Sequence, residues 1–353
     1  MNPTKSPQLT NPMPLVPLGG SGLRVSRLCL GTMTFGERTD EGEAARIWAQ
    51  ARAMGVNFVD TADTYAGGAS EEIVGRLIAD HRDDVVLASK LANPVGRDPN
   101  HRGASPAWMA REVPRMLKRL RTDRLDVLYL HKEDPVTPMQ ETVRGLERLV
   151  RSGQVLHVGV SNHKAWRIAR LARLCEEAGI GAPVVCQPLY HALNRSVEVE
   201  ILPACAALGL SVFPYSPIAR GVLTGKYREG APAPDDSRAA VSDKRILETE
   251  YHPATLAAAA RLAEHAAARG VSPGALAIAF VLANPMIAGC IVGPRHAGQL
   301  DAYREALSIT WTEQDEAAFA AVVPAGSTAV PHFVDPAYPV EGRPVAAATA
   351  TGA

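Results

Sequence analysis

Residues 57–65 read Asn-Phe-Val-Asp-Thr-Ala-Asp-Thr-Tyr, an apolar segment that ends in the carboxylate of Asp60 and is followed by the phenol of Tyr65. Two later apolar segments end in the same way, one in Lys90 and the other in His131. Short apolar runs between turn signals are typical of buried strands in a parallel sheet. We therefore expect four ionisable side chains at successive strand ends, which together are able to donate a proton.

Strands and helices alternate along most of the chain. After a short hairpin-like piece at 16–25, the predicted strands are 28–32, 57–60, 85–90, 125–131, 155–162, 184–187, 211–215 and 287–292. The predicted helices are 40–55, 70–81, 105–121, 139–151, 165–178, 197–208, 252–269, 273–283, 297–307 and 313–323. We expect Ser70 to cap the second of these helices and Pro114 to kink the third.

Eight strands, each followed by helical sequence, predict an α/β protein of the (β/α)8 TIM-barrel type, with an N-terminal hairpin and a long loop at 219–246 after the seventh strand. A doubly wound open sheet is the alternative, but it normally carries a G-x-G-x-x-G turn after its first strand, and the sequence contains none. The predicted parts are a flexible tail at 1–13, a barrel domain at 14–325, and a C-terminal tail at 326–353 that packs in part near the active site.

The composition is that of an ordinary globular protein. Hydrophobic residues make up 46% of the 353 residues, which is sufficient for a large buried core. Lysine plus arginine equals aspartate plus glutamate, 37 each, so no net basic field points to nucleic acid or to an anionic membrane surface. We therefore expect no nucleic-acid partner and no membrane association.

The N-terminus and the cysteines indicate a cytoplasmic protein. Residues 1–13 are polar and proline-rich without the apolar core of a signal peptide, and no run approaches 18 consecutive apolar residues. The cysteines are odd in number, scattered and without a C-x-x-C pair, which predicts reduced, buried thiols and no metal site. They are Cys29, Cys175, Cys186, Cys205 and Cys290.

The four strand-end residues fit one chemical task. A neighbouring ammonium such as that of Lys90 lowers the pKa of a phenol, which is ordinarily near 10. Asp60 is able to hold Lys90 protonated, and His131 is able to hydrogen-bond a substrate oxygen. The result is a phenolic acid at Tyr65, which suits carbonyl reduction with the hydride supplied by a cofactor.

Five motifs resemble the aldo-keto reductases over about residues 15–325. The sequence most resembles the bacterial branch near the potassium-channel β subunits, and the resemblance implies a (β/α)8 barrel that binds NADPH without a Rossmann domain. It also implies Tyr65 as general acid, tuned by Lys90 and Asp60, with His131 orienting the carbonyl. The motifs are residues 57–65, Ser89-Lys90, 126–131 (Asp-Val-Leu-Tyr-Leu-His), 159–162 (Gly-Val-Ser-Asn) and 215–226 (Tyr-Ser-Pro-Ile-Ala-Arg-Gly-Val-Leu-Thr-Gly-Lys).

The same resemblance implies a set of cofactor-binding residues, to which Asp60 also belongs. The positions implied around the nicotinamide and its ribose are Gly31, Thr32, Met33, Ser161, Asn162, Gln187 and the stacking ring of Tyr215. Those implied around the pyrophosphate are Ser216, Pro217, Ile218, Ala219, Gly221 and the cations Lys226 and Arg238.

A segment after the eighth strand predicts the adenosine end of the cofactor site. Gly293 and Arg295 precede a helix start, where backbone amides and a guanidinium favour the 2′-phosphate of NADP, and Gln299 follows in the family motif. The chain departs from the family three and four positions after Gln299, where the family usually has Glu and Asn and this chain has Ala302 and Tyr303.

Three functions remain open from the sequence. The first is NADPH-dependent reduction of an aldehyde or ketone, a small-molecule carbonyl substrate. The second is a regulatory or redox-sensing protein that keeps the cofactor as a ligand with little turnover. The third is a lyase or aldolase that uses Lys90 as a Schiff-base amine, which a nearby Asp60 disfavours because it keeps the amine charged. The sequence specifies no oligomeric state.

Substrate selection is expected to lie in loops around the mouth of the barrel. These are residues 91–105, 133–139 and 219–246, together with the tail at 333–338. The aromatic residues proposed as walls of the pocket are Phe35, Trp108 and Phe333.

Overall fold

The computed structural model describes residues 13–339. Its centre is a parallel sheet of eight strands in the order β10-β3-β4-β5-β6-β7-β8-β9. These strands are β3 (Leu28–Gly31), β4 (Phe58–Asp60), β5 (Val86–Leu91), β6 (Leu125–Leu130), β7 (Val155–Ser161), β8 (Val185–Gln187), β9 (Ser211–Val212) and β10 (Cys290–Val292).

The sheet closes into a barrel. Backbone hydrogen bonds join β9 and the residues that follow it to β10 and the residues that precede it, from Ala288 N to Val212 O at 3.1 Å and from Ile291 N to Pro214 O at 2.9 Å. Each of the other neighbouring strands is paired in parallel, as expected for strands separated by helical crossovers. The predicted (β/α)8 TIM barrel is confirmed.

Helices surround the barrel, as the alternating pattern predicts. They are α1 (Glu41–Ala53), α2 (Ala69–Leu77), α3 (Pro106–Leu120), α4 (Met139–Arg151), α5 (Ala165–Glu177), α6 (Ile201–Ala207), α7 (Lys244–Thr249), α8 (Pro253–Ala268), α9 (Pro273–Ala283), α10 (Leu300–Ala306) and α11 (Glu313–Val322). Within residues 13–339, no single helix has the length and apolar composition needed to cross a membrane. The helices α8 and α9, which are bent by 96° relative to each other, meet both criteria when they are taken together as a pair.

The second helix differs from its prediction. It begins at Ala69 after Gly68, whose φ of 100° only glycine adopts readily, and the side chain of Ser70 makes no cap. The Ser70 hydroxyl instead donates to the carbonyl of Thr32 at 2.8 Å inside the protein. The prediction of a Ser70 cap is therefore wrong, because the hydroxyl joins the helix to the end of β3. The third helix, α3, runs continuously through Pro114.

The predicted hairpin covers the amino end of the barrel. Strands β1 (Leu15–Pro17) and β2 (Arg24–Ser26) pair in antiparallel fashion. Leu18 and Val25 of this hairpin pack with Phe58 and other interior side chains of the barrel. The hairpin closes this end of the barrel, so we expect the functional site at the other end, where the carboxyl ends of the strands meet.

The described part of the C-terminal tail folds back onto the segment after β8. Arg195 N donates to Ser327 O at 2.8 Å, and Ala329 N donates to Leu193 O at 3.0 Å. The remainder of the predicted tail, residues 340–353, and residues 1–12 at the other end lie outside the described residues.

Gly159 on β7 sets a packing limit in the barrel interior. A Cβ at this position would lie 2.6 Å from Tyr129 Cδ1 and 3.0 Å from Val185 Cγ1. We expect Gly159→Ala to lower the free energy of unfolding by about 1–3 kcal/mol, the usual cost of overpacking. Urea denaturation measures it, with Gly20→Ala as control, since a Cβ at Gly20 has open space around it. Equal midpoints for the two variants would contradict this packing account.

Candidate active site

A cavity of about 520 Å³ opens at the carboxyl end of the barrel. It brings most of the sequence-predicted site residues together, whereas Lys90 and Ala219 are buried behind its wall. The predicted residues that line it are Asp60, Tyr65, His131, Gly31, Thr32, Met33, Ser161, Asn162, Gln187, Tyr215, Ser216, Pro217, Ile218, Gly221, Lys226, Arg238, Gly293, Arg295 and Gln299.

The Lys90 ammonium is the centre of a buried hydrogen-bond cluster. It donates to Asp60 Oδ2 at 2.5 Å and to the carbonyl of Thr61 at 2.9 Å, and its Nζ lies 3.0 Å from Tyr65 Oη. Lys90 is completely buried and Asp60 is only 2% exposed. The cluster therefore presents the Tyr65 hydroxyl to the cavity and keeps its charged partners away from water.

The environment sets the protonation states of these groups. Burial would lower the pKa of Lys90, but the negative charge of Asp60, joined by that of Tyr65 once the phenol ionises, outweighs it and raises that pKa above its ordinary value. Burial raises the pKa of Tyr65, and the positive charge of Lys90 opposes this only in part. The expected net lowering for Tyr65 is therefore wrong, because desolvation exceeds the lysine contribution. Near neutral pH the phenol keeps its proton and Lys90 keeps its charge.

His131 lies beside Tyr65 as a neutral imidazole. The two rings meet edge to face with centroids 5.9 Å apart. Burial, followed by the charges of Lys90 and Lys132, holds the pKa of His131 well below its ordinary range. The side-chain nitrogen of Asn93 lies 3.0 Å from His131 Nδ1. With the amide donating to Nδ1, the ring carries its proton on Nε2 and is able to donate it.

A second hydrogen-bond network links the residues predicted to hold the nicotinamide. Gln187 Nε2 donates to Asp60 Oδ1 at 3.0 Å, and Ser161 Oγ donates to the carbonyl of Gln187 at 2.8 Å. Tyr215 Oη donates to Asn162 Oδ1 at 2.9 Å, so the phenol and the amide fix each other's orientation. This network connects directly to the Lys90 cluster through Asp60.

Cationic side chains gather at the opposite end of the cavity. Arg295 and Arg38 both bind the segment around Asp236: Arg295 pairs with its carboxylate, and Arg38 donates to its carbonyl at 2.7 Å. Burial and then the charge of Arg295 lower the pKa of Lys226. Arg238 and Arg38 also lower this pKa through their positive charges, so several cations lie close to Lys226, as in a site for an anion.

Tyr303, one of the two departures from the family motif, lines this end of the cavity and is 4% exposed. Burial raises the pKa of its hydroxyl, so the ring is a neutral, largely apolar wall. The other departure, Ala302, packs against the hydrophobic core.

Residues 27–323 match the family model described as the aldo/keto reductase family. The chain belongs to the aldo/keto reductase family.

Several curated relatives agree with this assignment. An uncharacterised oxidoreductase of Bacillus subtilis is 38% identical over 296 residues, 80% of this chain and 87% of the relative. A probable voltage-gated potassium channel subunit beta of Oryza sativa is 37% identical over 298 residues, 83% of this chain and 90% of the relative. The L-glyceraldehyde 3-phosphate reductase of Escherichia coli is 30% identical over 306 residues, 82% of this chain and 86% of the relative.

A second cavity of this aldo/keto reductase, of about 760 Å³, adjoins the first. The two linings share Asn162, Tyr215 and Tyr338. Among the proposed aromatic walls, Phe333 lines the second cavity. Phe35 and Trp108 are completely buried and lie outside both linings, so the prediction that they form walls of the pocket is wrong.

A bidentate ion pair fixes the tail over these cavities. Arg245 of α7 donates to the two carboxylate oxygens of Asp335 at 3.0 and 2.6 Å. Arg245 lines the first cavity and Asp335 the second, so the pair stands at the boundary between them.

Three features of the site were missed or given no role in the sequence analysis. Asn93 stands two places beyond the end of β5 at Leu91, so its position at the rim could have marked it. Arg38 lies in the loop after β3, and no motif spacing predicts that a cationic side chain of this loop lines the cavity. Asp63 was quoted within the first motif without a role.

Asp63 is a buried carboxyl without a matched partner. It is 2% exposed, and neither oxygen accepts a hydrogen bond of normal geometry from the described residues, although the Thr64 amide is near. Burial, followed by the charges of Glu71 and Glu112, raises its pKa well above the ordinary value. Arg119 is already engaged by both glutamates, at 2.6 and 2.5 Å.

We expect Asp63→Asn to change how stability depends on pH. The folded wild type holds a proton that the unfolded chain releases above about pH 4, so wild-type stability falls as pH rises toward the raised folded pKa. The asparagine mimics the protonated acid and removes this loss. Its unfolding free energy relative to wild type should therefore increase between pH 4 and pH 8.

Urea denaturation at several pH values measures this difference. Asp80→Asn is the matched control, because Asp80 is exposed on the short 3-10 helix Ala79–Asp84. A stability difference for Asp63→Asn that does not vary with pH would show that Asp63 is ionised in the folded protein.

Proposed function

We propose that this protein reduces an aldehyde or ketone to an alcohol, with NADPH as the source of hydride and Tyr65 as the source of the proton. The observation that supports this most is the contact of 3.0 Å between Tyr65 Oη and the fully buried Lys90 Nζ. Tyr65 lines the same cavity whose far end is cationic. A proton donor at one end and an anion site at the other match a phosphorylated redox cofactor and a carbonyl substrate.

The residues of the chain divide the proton chemistry among them. The neutral His131 is able to donate a hydrogen bond to a carbonyl oxygen beside Tyr65. As negative charge develops on that oxygen, Tyr65 transfers its proton, which is favourable because an alkoxide is a stronger base than a phenolate. The Lys90 ammonium then stabilises the phenolate, and Asp60 holds the ammonium in place. When bound, the nicotinamide would supply the hydride to the carbonyl carbon.

The lining of the first cavity fits such a cofactor. Tyr215 offers an aromatic face beside the amides of Asn162 and Gln187, which suits a planar ring that carries a carboxamide. A Cβ at Gly221 would lie 3.0 Å from Lys226 Nζ, so the glycine leaves room for a phosphate beside the ammonium. The residues proposed to hold the pyrophosphate and the 2′-phosphate are Ser216, Pro217, Ile218, Gly221, Lys226, Arg238, Gly293, Arg295, Gln299 and, in addition, Arg38.

The other two functions are separable by experiment. The 37% identity to a probable potassium channel subunit beta favours a cofactor-binding regulatory role as the second candidate. Tight NADPH binding without turnover across a broad panel of aldehydes and ketones would support that role. The Schiff-base role of Lys90 is disfavoured, since the charge of Asp60 raises its pKa and holds it as an ammonium.

Tyr65→Phe tests the assigned acid. The ring stays while the hydroxyl is lost, so kcat should fall by about a hundredfold to ten-thousandfold, the usual contribution of a general acid. NADPH oxidation with reactive aldehydes measures the rate, and fluorescence titration with NADPH should give an unchanged Kd. Tyr251→Phe is the control, as that ring packs on Tyr227 outside both cavity linings. A Tyr65→Phe enzyme as fast as wild type would disprove the mechanism.

Arg38→Ala and Arg295→Ala test the preference for NADPH. Each removes a guanidinium proposed to face the 2′-phosphate, so KM for NADPH should rise by about tenfold or more while KM for NADH stays nearly constant. Parallel steady-state assays with the two cofactors measure this. Arg261→Ala on the exposed side of α8 controls for the loss of one positive charge. If the variants raised KM for NADPH and for NADH equally, the 2′-phosphate would not bind at Arg38 and Arg295.

A further inference from the structure

The second cavity contains two cations without protein partners. Lys132 and Arg102 both line it, and neither forms a hydrogen bond or an ion pair with any other residue between 13 and 339. Lys132 is half-buried, so its charge has lost part of its hydration, whereas Arg102 is exposed and adds a second unpaired positive charge to the same lining. Two such charges in one cavity therefore indicate a negatively charged ligand.

The nearby carboxylates do not neutralise these cations. Glu133 accepts from the backbone amide of Lys164 at 2.6 Å at the start of α5, and it pairs with Arg167 at 3.1 Å. Asp134 accepts from the amide of Ala104 at 2.8 Å, just before α3. Glu133 thus serves the amino end of α5, where a carboxylate is stabilised by unpaired amides, and Asp134 accepts from loop amides, those of Val136 and Thr137 included.

The third carboxylate of the lining is also occupied. Asp335 forms the bidentate pair with Arg245 described above. Each acid that lines the cavity is therefore bound to the protein, whereas Lys132 and Arg102 are left to face the cavity.

We propose that the second cavity binds an anionic group, a carboxylate or a phosphate, carried by the carbonyl substrate, with Lys132 and Arg102 as its partners. This inference rests on the proposed reduction at Tyr65, and it names the substrate class. The preferred substrate is an aldehyde or ketone with an anionic group at the end remote from the carbonyl.

The position of Lys132 supports binding of a single substrate molecule that reaches both the first and the second cavity. Lys132 directly follows His131, and adjacent Cα atoms are about 3.8 Å apart. His131 lines the first cavity and Lys132 the second, so the strand end divides the two. The apolar side chains of Leu189, Val197 and Phe333 line the second cavity and suit the carbon skeleton between the two polar ends.

A matched series of aromatic aldehydes tests the proposal. Methyl 4-formylbenzoate is neutral, 4-carboxybenzaldehyde carries a carboxylate, and 4-formylphenyl phosphate carries a phosphate. With the full chain and NADPH, kcat/KM should be about tenfold higher for the anionic aldehydes than for the neutral ester. Whichever anionic aldehyde has the higher kcat/KM shows whether the cavity recognises a carboxylate or a phosphate.

Two variants and one control locate the effect. Lys132→Met and Arg102→Met should each reduce the preference for the anion about tenfold and leave kcat/KM for the ester unchanged. Lys118→Met, an exposed lysine on α3 outside both cavities, should leave the preference intact. A wild-type enzyme that treats ester and anions alike, or a preference that survives both variants, would overturn the proposal.

Direct binding separates this inference from the proposed reaction. If none of the aldehydes is reduced, the reductase function fails, and calorimetric titration of 4-carboxybenzaldehyde and the methyl ester into the full chain still tests the site. Tighter binding of the carboxylate that is lost in Lys132→Met supports the anion site. Equal binding of the two compounds, or binding of neither, overturns it.

Discussion

The ion pair between Lys90 and Asp60 is the contact on which both the fold and the chemistry of this protein depend. Two charges removed from water lose several kcal/mol of hydration each, so they need further hydrogen bonds to be stable. Here Gln187 and the Thr61 carbonyl supply them, and Tyr65 adds a third contact. Because these groups come from β4, β5 and β8, the pair forms only in a barrel that is closed in the correct register. Loss of one partner would leave a buried charge, at a cost of about 3–5 kcal/mol.

The sequence was sufficient to predict those parts of the fold in which the burial of apolar side chains dominates. The strands that end near Asp60, Lys90 and His131 are continuous apolar runs, and their predicted bounds agree with the structure to within one residue. The strand predicted at 211–215 shortens to Ser211–Val212, since its last part turns toward the cavity and contains a proline, which has no amide hydrogen to donate. Similarly, the sequence at Ser70 indicated a helix cap, but the Ser70 hydroxyl forms a tertiary hydrogen bond that no local sequence pattern contains.

The site could be predicted only as far as chain topology places side chains together. Parallel strands deliver their last residues to one rim, so the sequence was sufficient to bring Asp60, Tyr65 and His131 to one cavity. Desolvation has no sequence signal of this kind, because it depends on which distant segments cover a group. That is why the raised pKa of Tyr65 and the unmatched carboxyl of Asp63 became visible only in three dimensions.

The bidentate pair of Arg245 with Asp335 has a mechanical consequence. It ties α7, which follows the loop that carries Arg238, to a tail that forms part of the wall of the neighbouring cavity. The two cavities thus share one wall, which this ion pair holds together. A displacement of α7 would therefore carry the tail with it, and the shapes of the two cavities would change together.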